Sequence, residues 1–429
     1  MPSFSVLNFG CRAAQADGAA LEALLKDRGL TPSEPRHANF IILNSCTVTA
    51  SADADARAAI RKAQRESPGA RILVTGCYAQ RAPEEIATLP GVEWVVGNAR
   101  KSLIPDLLTS YEYHGGIHTS QEFASSDFLT APVIESLSDR ARPNFKIQDG
   151  CSNRCSFCVI PSVRGRSRYL PADQVVAQVR ELSQRYREVI FTGINLGRWG
   201  RSAGSEMPLA GLLRRILEET PIERIRLSSV EPMDWSDELI GLMSENPRIA
   251  PHVHMPLQSG SDAILRLMRR KYRPRHYADR LWKAFRSVPD AAIGADVMTG
   301  FPGETDVHFR ESLEFIESLP FTYLHVFTYS ERPGTEATSL PGVVPVQVRR
   351  ERTRILREVS ERKHAEFLDR MSGRTFRAVT LVERPFALTG NNIRVAIADW
   401  PGPNVMVKAT VPTVPEASAS LVQLAGSSR

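Results

Sequence analysis

Short apolar runs alternate with amphipathic stretches from the first residues onward. Phe4 to Leu7, Phe40 to Leu43, Arg71 to Thr75 and Glu93 to Val96 read as buried strands, and Ala14 to Arg28, Ser51 to Glu66 and Pro83 to Leu89 carry helical spacing between them. This alternation predicts a parallel, doubly wound sheet, whose ligand site lies outside the carboxyl ends of its strands. Tyr111 to Arg142 mixes Gly115-Gly116, Ser125-Ser126 and Pro132 without any period, and reads as an irregular linker. The strand pattern resumes at Asn144 to Gln148, Glu188 to Thr192, Arg224 to Ser228, Pro251 to Met255, Ala291 to Val297 and Thr322 to Phe327. Helical stretches such as Ala172 to Tyr186, Leu209 to Glu219, Asp262 to Arg270 and Thr305 to Leu319 lie between them. Six such units predict an incomplete version of the eightfold β/α barrel, with its chemistry where the strands end. Val346 to Arg370 is helical and dense in both charges, and reads as a connector. Arg374 to Val382, Asn392 to Ala398 and Asn404 to Thr410 then alternate like strands of a small antiparallel unit, and the Ala/Ser-rich tail from Pro412 is expected to fray. The chain thus reads as α/β, divided at 1–110, 111–142, 143–344, 345–370 and 371–429.

A length of 429 residues fits two or three domains rather than one core. No apolar run approaches the roughly 18 residues of a membrane span, and no charged start followed by an apolar core marks a secretory leader. A cytoplasmic setting is therefore expected. The net charge of +6 is a mild pull toward polyanions. Its distribution sharpens that. Arg269 to Tyr277 holds Arg269, Arg270, Lys271, Arg273 and Arg275 with two tyrosines, while Arg154, Arg164, Arg166 and Arg168 stand without an acidic residue among them. Phosphate contacts and stacking on exposed bases use these side chains, so RNA is favoured over a plain solvated face. Residues 371–429 carry six Arg or Lys against three acidic residues.

Six cysteines are too few for a disulfide scaffold, and their placement points to metal work. Cys151, Cys155 and Cys158 fall within eight residues of a Gly/Ser/Asn-containing loop. Three thiolates so spaced can wrap one corner of a cubane iron–sulfur cluster and leave one iron open to a small molecule. The other readings are three small hydrophobes in a turn, or a zinc site short of a ligand. Cys11, Cys46 and Cys77 each follow the end of a predicted strand, 35 and 31 residues apart, so the fold should gather them at one edge. They read as a second three-thiolate site, with Gly10 and Gly76 leaving room against the backbone.

Cys151-Ser152-Asn153-Arg154-Cys155-Ser156-Phe157-Cys158, with Gly150 before it and Val159 to Arg168 after it, resembles the methylthiotransferase branch of the radical S-adenosylmethionine (SAM) enzymes. The resemblance runs nearly the whole chain: an N-terminal auxiliary-cluster domain, a partial (β/α)6 radical SAM barrel, and a TRAM-like antiparallel β-barrel that binds RNA. It implies two [4Fe-4S] clusters, one held by Cys151, Cys155 and Cys158 and one by Cys11, Cys46 and Cys77. It implies SAM contacts from Phe157 beside the adenine, the Gly193 to Asn195 segment at the methionine amino group, and Glu231, Gln258 and Ser259 toward ribose and carboxylate. Asn195 departs from the Gly-Gly-Glu of many such enzymes. Arg164, Arg166, Arg168, Arg269, Arg270, Lys271 and Arg273 are the expected RNA contacts.

Thr192 to Gly200, Arg226 to Pro232 and His252 to Pro256 look most like the branch acting on N6-threonylcarbamoyladenosine at position 37 of tRNA. That implies insertion of a methylthio group at C2, with an electron donor of flavodoxin or ferredoxin type and a monomeric enzyme. The branches acting on N6-isopentenyladenosine, or on an aspartate of a ribosomal protein, are the alternatives. From another class, a non-catalytic iron–sulfur RNA-binding or electron-carrying protein would need fully ligated clusters, which two sets of three cysteines do not provide.

Overall fold

The structure, a computed structural model, describes residues 1–110, 115–123, 128–129, 141–201, 207–413 and 422–424. Its first layer is an all-parallel sheet of six strands. In spatial order these are Thr31–Pro32, Ser3–Asn8, Phe40–Ser45, Arg71–Gly76, Val92–Gly97 and Gly116–His118. Alternate residues serve opposite faces. Phe40, Ile42 and Leu73 pack with Leu21 and Leu25 of the helix Arg12–Asp27, while Ile41, Leu43 and Ile72 pack with Ala56 and Ile60 of the helix Ala50–Glu66. Both faces are covered, which is why the strands read as continuous apolar runs. One part of the expected linker is ordered differently: Gly116–His118 is the sixth strand of this sheet. Ser125-Ser126 and Pro132 lie outside the described residues.

The central region has six parallel strands in two groups of three. Asn144–Lys146, Glu188–Thr192 and Arg224–Leu227 form the first group, and His252–His254, Ala292–Thr299 and Tyr323–Thr328 the second. A parallel bridge between Ile225 and Ile249 joins them. Helices Ala172–Arg185, Leu209–Glu219, Asp237–Glu245, Pro274–Ser287 and Asp306–Glu317 pack outside around one apolar core. The order follows the chain, as in a partial barrel, and no closed barrel forms among the described residues.

The helix Val346–Met371 leads into an antiparallel sheet ordered Met406–Thr410, Thr375–Thr380, Phe386–Thr389, Ile393–Ala396 and Val422–Leu424. Its outer strands are not paired with each other among the described residues, so the expected closure into a barrel is not seen. The rest of the tail beyond Thr413 lies outside the described residues. This sheet packs its Ala378, Ala387 and Ile393 against Ala292 and Tyr323 of the central strands. Among the described residues, no helix is long and apolar enough to cross a membrane.

Candidate functional site

The strands Ser3–Asn8, Phe40–Ser45 and Arg71–Gly76 are neighbours, so the residues just past their ends meet at one edge. Cys11 caps the helix that begins at Arg12, Cys46 directly follows its strand, and Cys77 opens the short helix Cys77–Arg81. Gly10 and Gly76 have φ of +110° and +99°, which L side chains rarely adopt. A Cβ on Gly10 would stand 2.7 Å from Cys46 Cβ and 3.1 Å from its Sγ. The room at Gly10 is thus taken up by the second cysteine. Burial, then the nearby Cys77 and Cys11, push the Cys46 thiol up to about 12. Thiols that raise one another's pKa become stable as thiolates only beside compensating positive charge, which fits a bound metal cluster.

The Cys151–Cys158 loop is pinned from several sides. Cys151 N–H donates to the Gly165 carbonyl at 3.0 Å, Cys158 N–H to that of Cys155 at 3.1 Å, and Asn153 N–H to Cys151 Sγ at 3.4 Å. Burial, with Cys155 and Cys151 nearby, pushes the Cys158 thiol up to about 12. The donor set is all sulfur and again suits a cluster rather than a hard cation. A cavity beside it is lined by Asn153, Cys155, Glu231 and the whole run Arg269 to Tyr272, with Arg198 and Met233.

The two triads are joined by the short helix Ile160–Arg164 that follows Cys158, because Val159 and Val163 pack directly on Cys77. Arg164 Nε donates to Cys77 Sγ at 3.3 Å, its Nη1 to Asp149 at 3.0 Å and its Nη2 to Asp17 at 3.0 Å. Lys101 at 2.8 Å and Lys146 complete the shell of Asp17. Burial alone would raise the Asp17 carboxyl, but Lys101, Lys146 and Arg164 hold it well below the usual carboxylate range. Asn98 adds a second donor, Nδ2, to Cys77 Sγ at 3.4 Å.

The expected cofactor residues fare unequally. Asn195 sends Nδ2 toward Cys151 Sγ at 3.7 Å, and its buried Oδ1 has no hydrogen-bond partner. Gln258 also has a buried, unpartnered Oε1, on a backbone with φ of +67°. Glu231 is held by Arg270, whose Nη1 donates to Cys155 Sγ at 3.3 Å. Phe157 meets Phe301 edge-on at 6.3 Å. Gly193 has no side chain because a Cβ would fall 2.8 Å from Gln148 Oε1. Ser259 is buried, and its Oγ shares a 2.9 Å hydrogen bond with Ser312 Oγ.

Two expected RNA contacts are corrected. Arg164 and Arg270 are buried and committed to carboxylates and cysteine sulfurs, so neither is free to reach a phosphate. Arg168 is partly buried and donates to Asp149 at 3.2 Å, and Arg273 is partly buried and paired with Asp262. Arg166, Arg269 and Lys271 are exposed. Sequence reasoning missed Gln148, whose amide clamps the Asp149 and Gly150 carbonyls at 2.9 and 2.8 Å and accepts from Asn195 N–H at 2.7 Å. Its one signal was position, at the end of a strand just before the cysteine loop.

Residues 145–316 match the Radical SAM superfamily and residues 3–97 match Uncharacterized protein family UPF0004. With this site and a partial barrel, the chain is a radical SAM enzyme that uses SAM and an iron–sulfur cluster. In fold it resembles the methyltransferase TsrM from Kitasatospora setae (TM-score 0.57, 15% identity, 79% of this chain and 74% of that one) and the enzyme OxsB (0.54, 11%, 85% and 56%). It is 37% identical over 395 residues to the threonylcarbamoyladenosine tRNA methylthiotransferase MtaB of Aquifex aeolicus, covering 90% of this chain and 94% of that one. It is 32% identical to the tRNA-2-methylthio-N(6)-dimethylallyladenosine synthase of Syntrophotalea carbinolica, covering 82% of each. The chain belongs to the radical SAM methylthiotransferase family.

Proposed function

We propose that the enzyme inserts a methylthio group at C2 of N6-threonylcarbamoyladenosine-37 in tRNA, using two [4Fe-4S] clusters, one on each cysteine triad. The observation that carries this reading is that Cys46 lies near Cys77 and Cys11, Cys158 lies near Cys155 and Cys151, and Ile160–Arg164 joins the two sets. The 37% identity to a threonylcarbamoyladenosine enzyme supports the choice of branch. When bound, the clusters with SAM supply a 5′-deoxyadenosyl radical that removes hydrogen from an unactivated carbon, and the sulfur that replaces it.

The protein's own part is placement. The unpartnered Oδ1 of Asn195 would accept from the methionine ammonium, and the Glu231–Arg270 pair would face the cavity beside Cys155 with one group of each sign. Phe157 would cover the adenine. Arg164 and Asn98, donating to Cys77, would stabilise charge on that sulfur and orient it. In this reading the N-terminal sheet is the auxiliary-cluster domain and the C-terminal sheet a TRAM-like RNA-binding module. A flavodoxin- or ferredoxin-type donor, a cytoplasmic setting and a monomeric state complete the proposal.

Mass spectrometry of tRNA nucleosides from cells with and without the protein tests it. Loss of the 2-methylthio derivative of threonylcarbamoyladenosine, with its parent accumulating, is expected. Loss of the isopentenyl derivative would move the enzyme to the neighbouring branch, and no change in either would turn attention to a ribosomal protein. In vitro, Cys151→Ala should abolish SAM cleavage, while Cys46→Ala should spare cleavage and stop sulfur insertion. Methylthiolation by Cys46→Ala would refute the division between the triads.

A further inference from the structure

Three adjacent parallel strands, His252–His254, Ala292–Thr299 and Tyr323–Thr328, bring His254, Asp296 and His325 together, a group that includes no cysteine. Asp296 and His325 are register partners, and His254 is the partner of Gly294, two residues before Asp296. His254 Nε2 lies 3.5 Å and His325 Nδ1 lies 3.4 Å from Asp296 Oδ1, and the three ligating atoms are all within 4.8 Å of one another.

Good N–H···O hydrogen bonds are shorter, about 2.7–3.2 Å. Separations near 3.4 Å are instead close to the edge of a tetrahedron whose centre lies about 2.0–2.1 Å from each corner, as around zinc. His254 is only 6% exposed, and its Nε2 has no hydrogen-bond partner among the described residues although it lies 3.5 Å from a carboxylate oxygen. Its other nitrogen, Nδ1, shares a 2.7 Å hydrogen bond with Ser229 Oγ. A metal-bound imidazole is held in the same way, with the distal nitrogen fixed by a polar neighbour. Tyr323 stacks on the ring at 6.0 Å and 10°, and its own ring crosses Gly294, where a Cβ would come within 2.0 Å of Tyr323 Cζ. The His254 side chain therefore has little freedom to turn elsewhere. Burial lowers its pKa to about 4, so the imidazole is neutral and offers a lone pair rather than a charge to Asp296. Asp296 and His325 are partly exposed, which leaves the remaining coordination positions open.

We propose that His254, Asp296 and His325 form a mononuclear site for a divalent transition-metal ion, separate from both cysteine triads and with open positions for an oxygen ligand. Two imidazoles and one carboxylate suit zinc or ferrous iron over magnesium or calcium. This inference does not depend on which tRNA base the enzyme modifies.

The test uses the full chain with its clusters reconstituted, equilibrated with zinc chloride and then freed of excess. Elemental analysis should find zinc at one per chain above the level in His254→Gln and Asp296→Asn, with iron and sulfide equal in all three. Zinc-edge absorption should show nitrogen and oxygen donors with imidazole scattering. Ser229→Ala should weaken zinc binding by about 10–100-fold, as loss of an outer-shell partner does. If His254→Gln or Asp296→Asn lost iron, the partly exposed His325→Ala would decide, since it should lose zinc while keeping its clusters. Wild-type protein without zinc, zinc bound through sulfur, or equal zinc in wild type and cluster-replete variants would each overturn the proposal.

Discussion

Glu188 stands at the start of a central strand with no exposed surface, and its carboxylate takes Arg142 at 3.3 Å, Arg224 at 3.1 Å and Arg226 at 2.7 Å. Burial alone would raise its pKa, but Arg226, Arg142 and Arg224 bring it from 4.5 down to about 2. A carboxyl depressed on folding stabilises the protein above its unfolded value and loses that contribution as pH falls through the folded one. About 3 kcal/mol is therefore present at neutral pH and drains away below pH 4.5 toward about 2. In urea titrations, the stability gap between wild type and Glu188→Gln should be large at pH 7 and narrow steadily below pH 4.5. A gap independent of pH would mean that packing, not charge, sets the cost. The same buried chemistry explains where sequence reasoning fell short. Arg164, Arg166 and Arg168 look alike in the sequence, yet only Arg166 is exposed. One partner of Arg164, Asp17, is 147 residues away, and no local pattern announces it.

At the scale of elements, the legible ones were those with long apolar periods. The helix Leu209–Glu219 was read to the residue, and the strand Glu188–Thr192 likewise. The five-residue helices Cys77–Arg81 and Ile160–Arg164 were not, because one turn carries no period to detect. The strand Phe386–Thr389 hid behind Pro385. The helix Val346–Met371 was found from its charge pattern, but its charges are not equivalent. Arg352 is buried and binds Glu304 at 2.6 Å and Asp306 at 2.7 Å, and Glu304 in turn accepts from Gly300 N–H at 2.9 Å. Arg354, one helical turn from exposed Glu351 and Glu358, pairs in open solvent. Arg352→Ala leaves Glu304 buried without its cation and should cost about 3–5 kcal/mol. Arg354→Ala should leave the unfolding midpoint unchanged within error, because solvent screens such pairs. Equal effects of the two substitutions on thermal unfolding would show that the Glu304 loop gains nothing from the pairing.

At the scale of the whole molecule, polar clamps bind the N-terminal, central and C-terminal regions to one another. Arg332 of the central region donates to Asp53 of the N-terminal helix Ala50–Glu66 at 2.6 Å, and Arg226 donates to the Gly390 and Thr389 carbonyls of the C-terminal unit at 2.9 and 3.0 Å. Many of the cations that give the chain its basic character are thus spent internally, and the charge available to a polyanion is the exposed remainder. Lys271 belongs to it, as does Arg269, whose 2.6 Å pair with Glu336 is itself exposed, while Arg270 between them points inward to Glu231 and Cys155. A phosphate contact releases counterions and steepens the salt dependence of binding by about 0.7–0.9 per neutralised phosphate. Replacing both Arg269 and Lys271 by Gln should therefore weaken tRNA binding and flatten the plot of log Kd against log salt by about 1–2. Arg270→Gln should leave that slope intact and instead weaken SAM binding, since its buried guanidinium donates to Glu231 and to Cys155 Sγ. The two variants separate exposed from buried charge within one run of residues. If Arg270→Gln flattened the slope as much as the double variant, the buried arginine would have to reach the RNA. If the double variant left the slope unchanged, the tRNA backbone would have to lie on another face, with Arg166 the next exposed cation to neutralise.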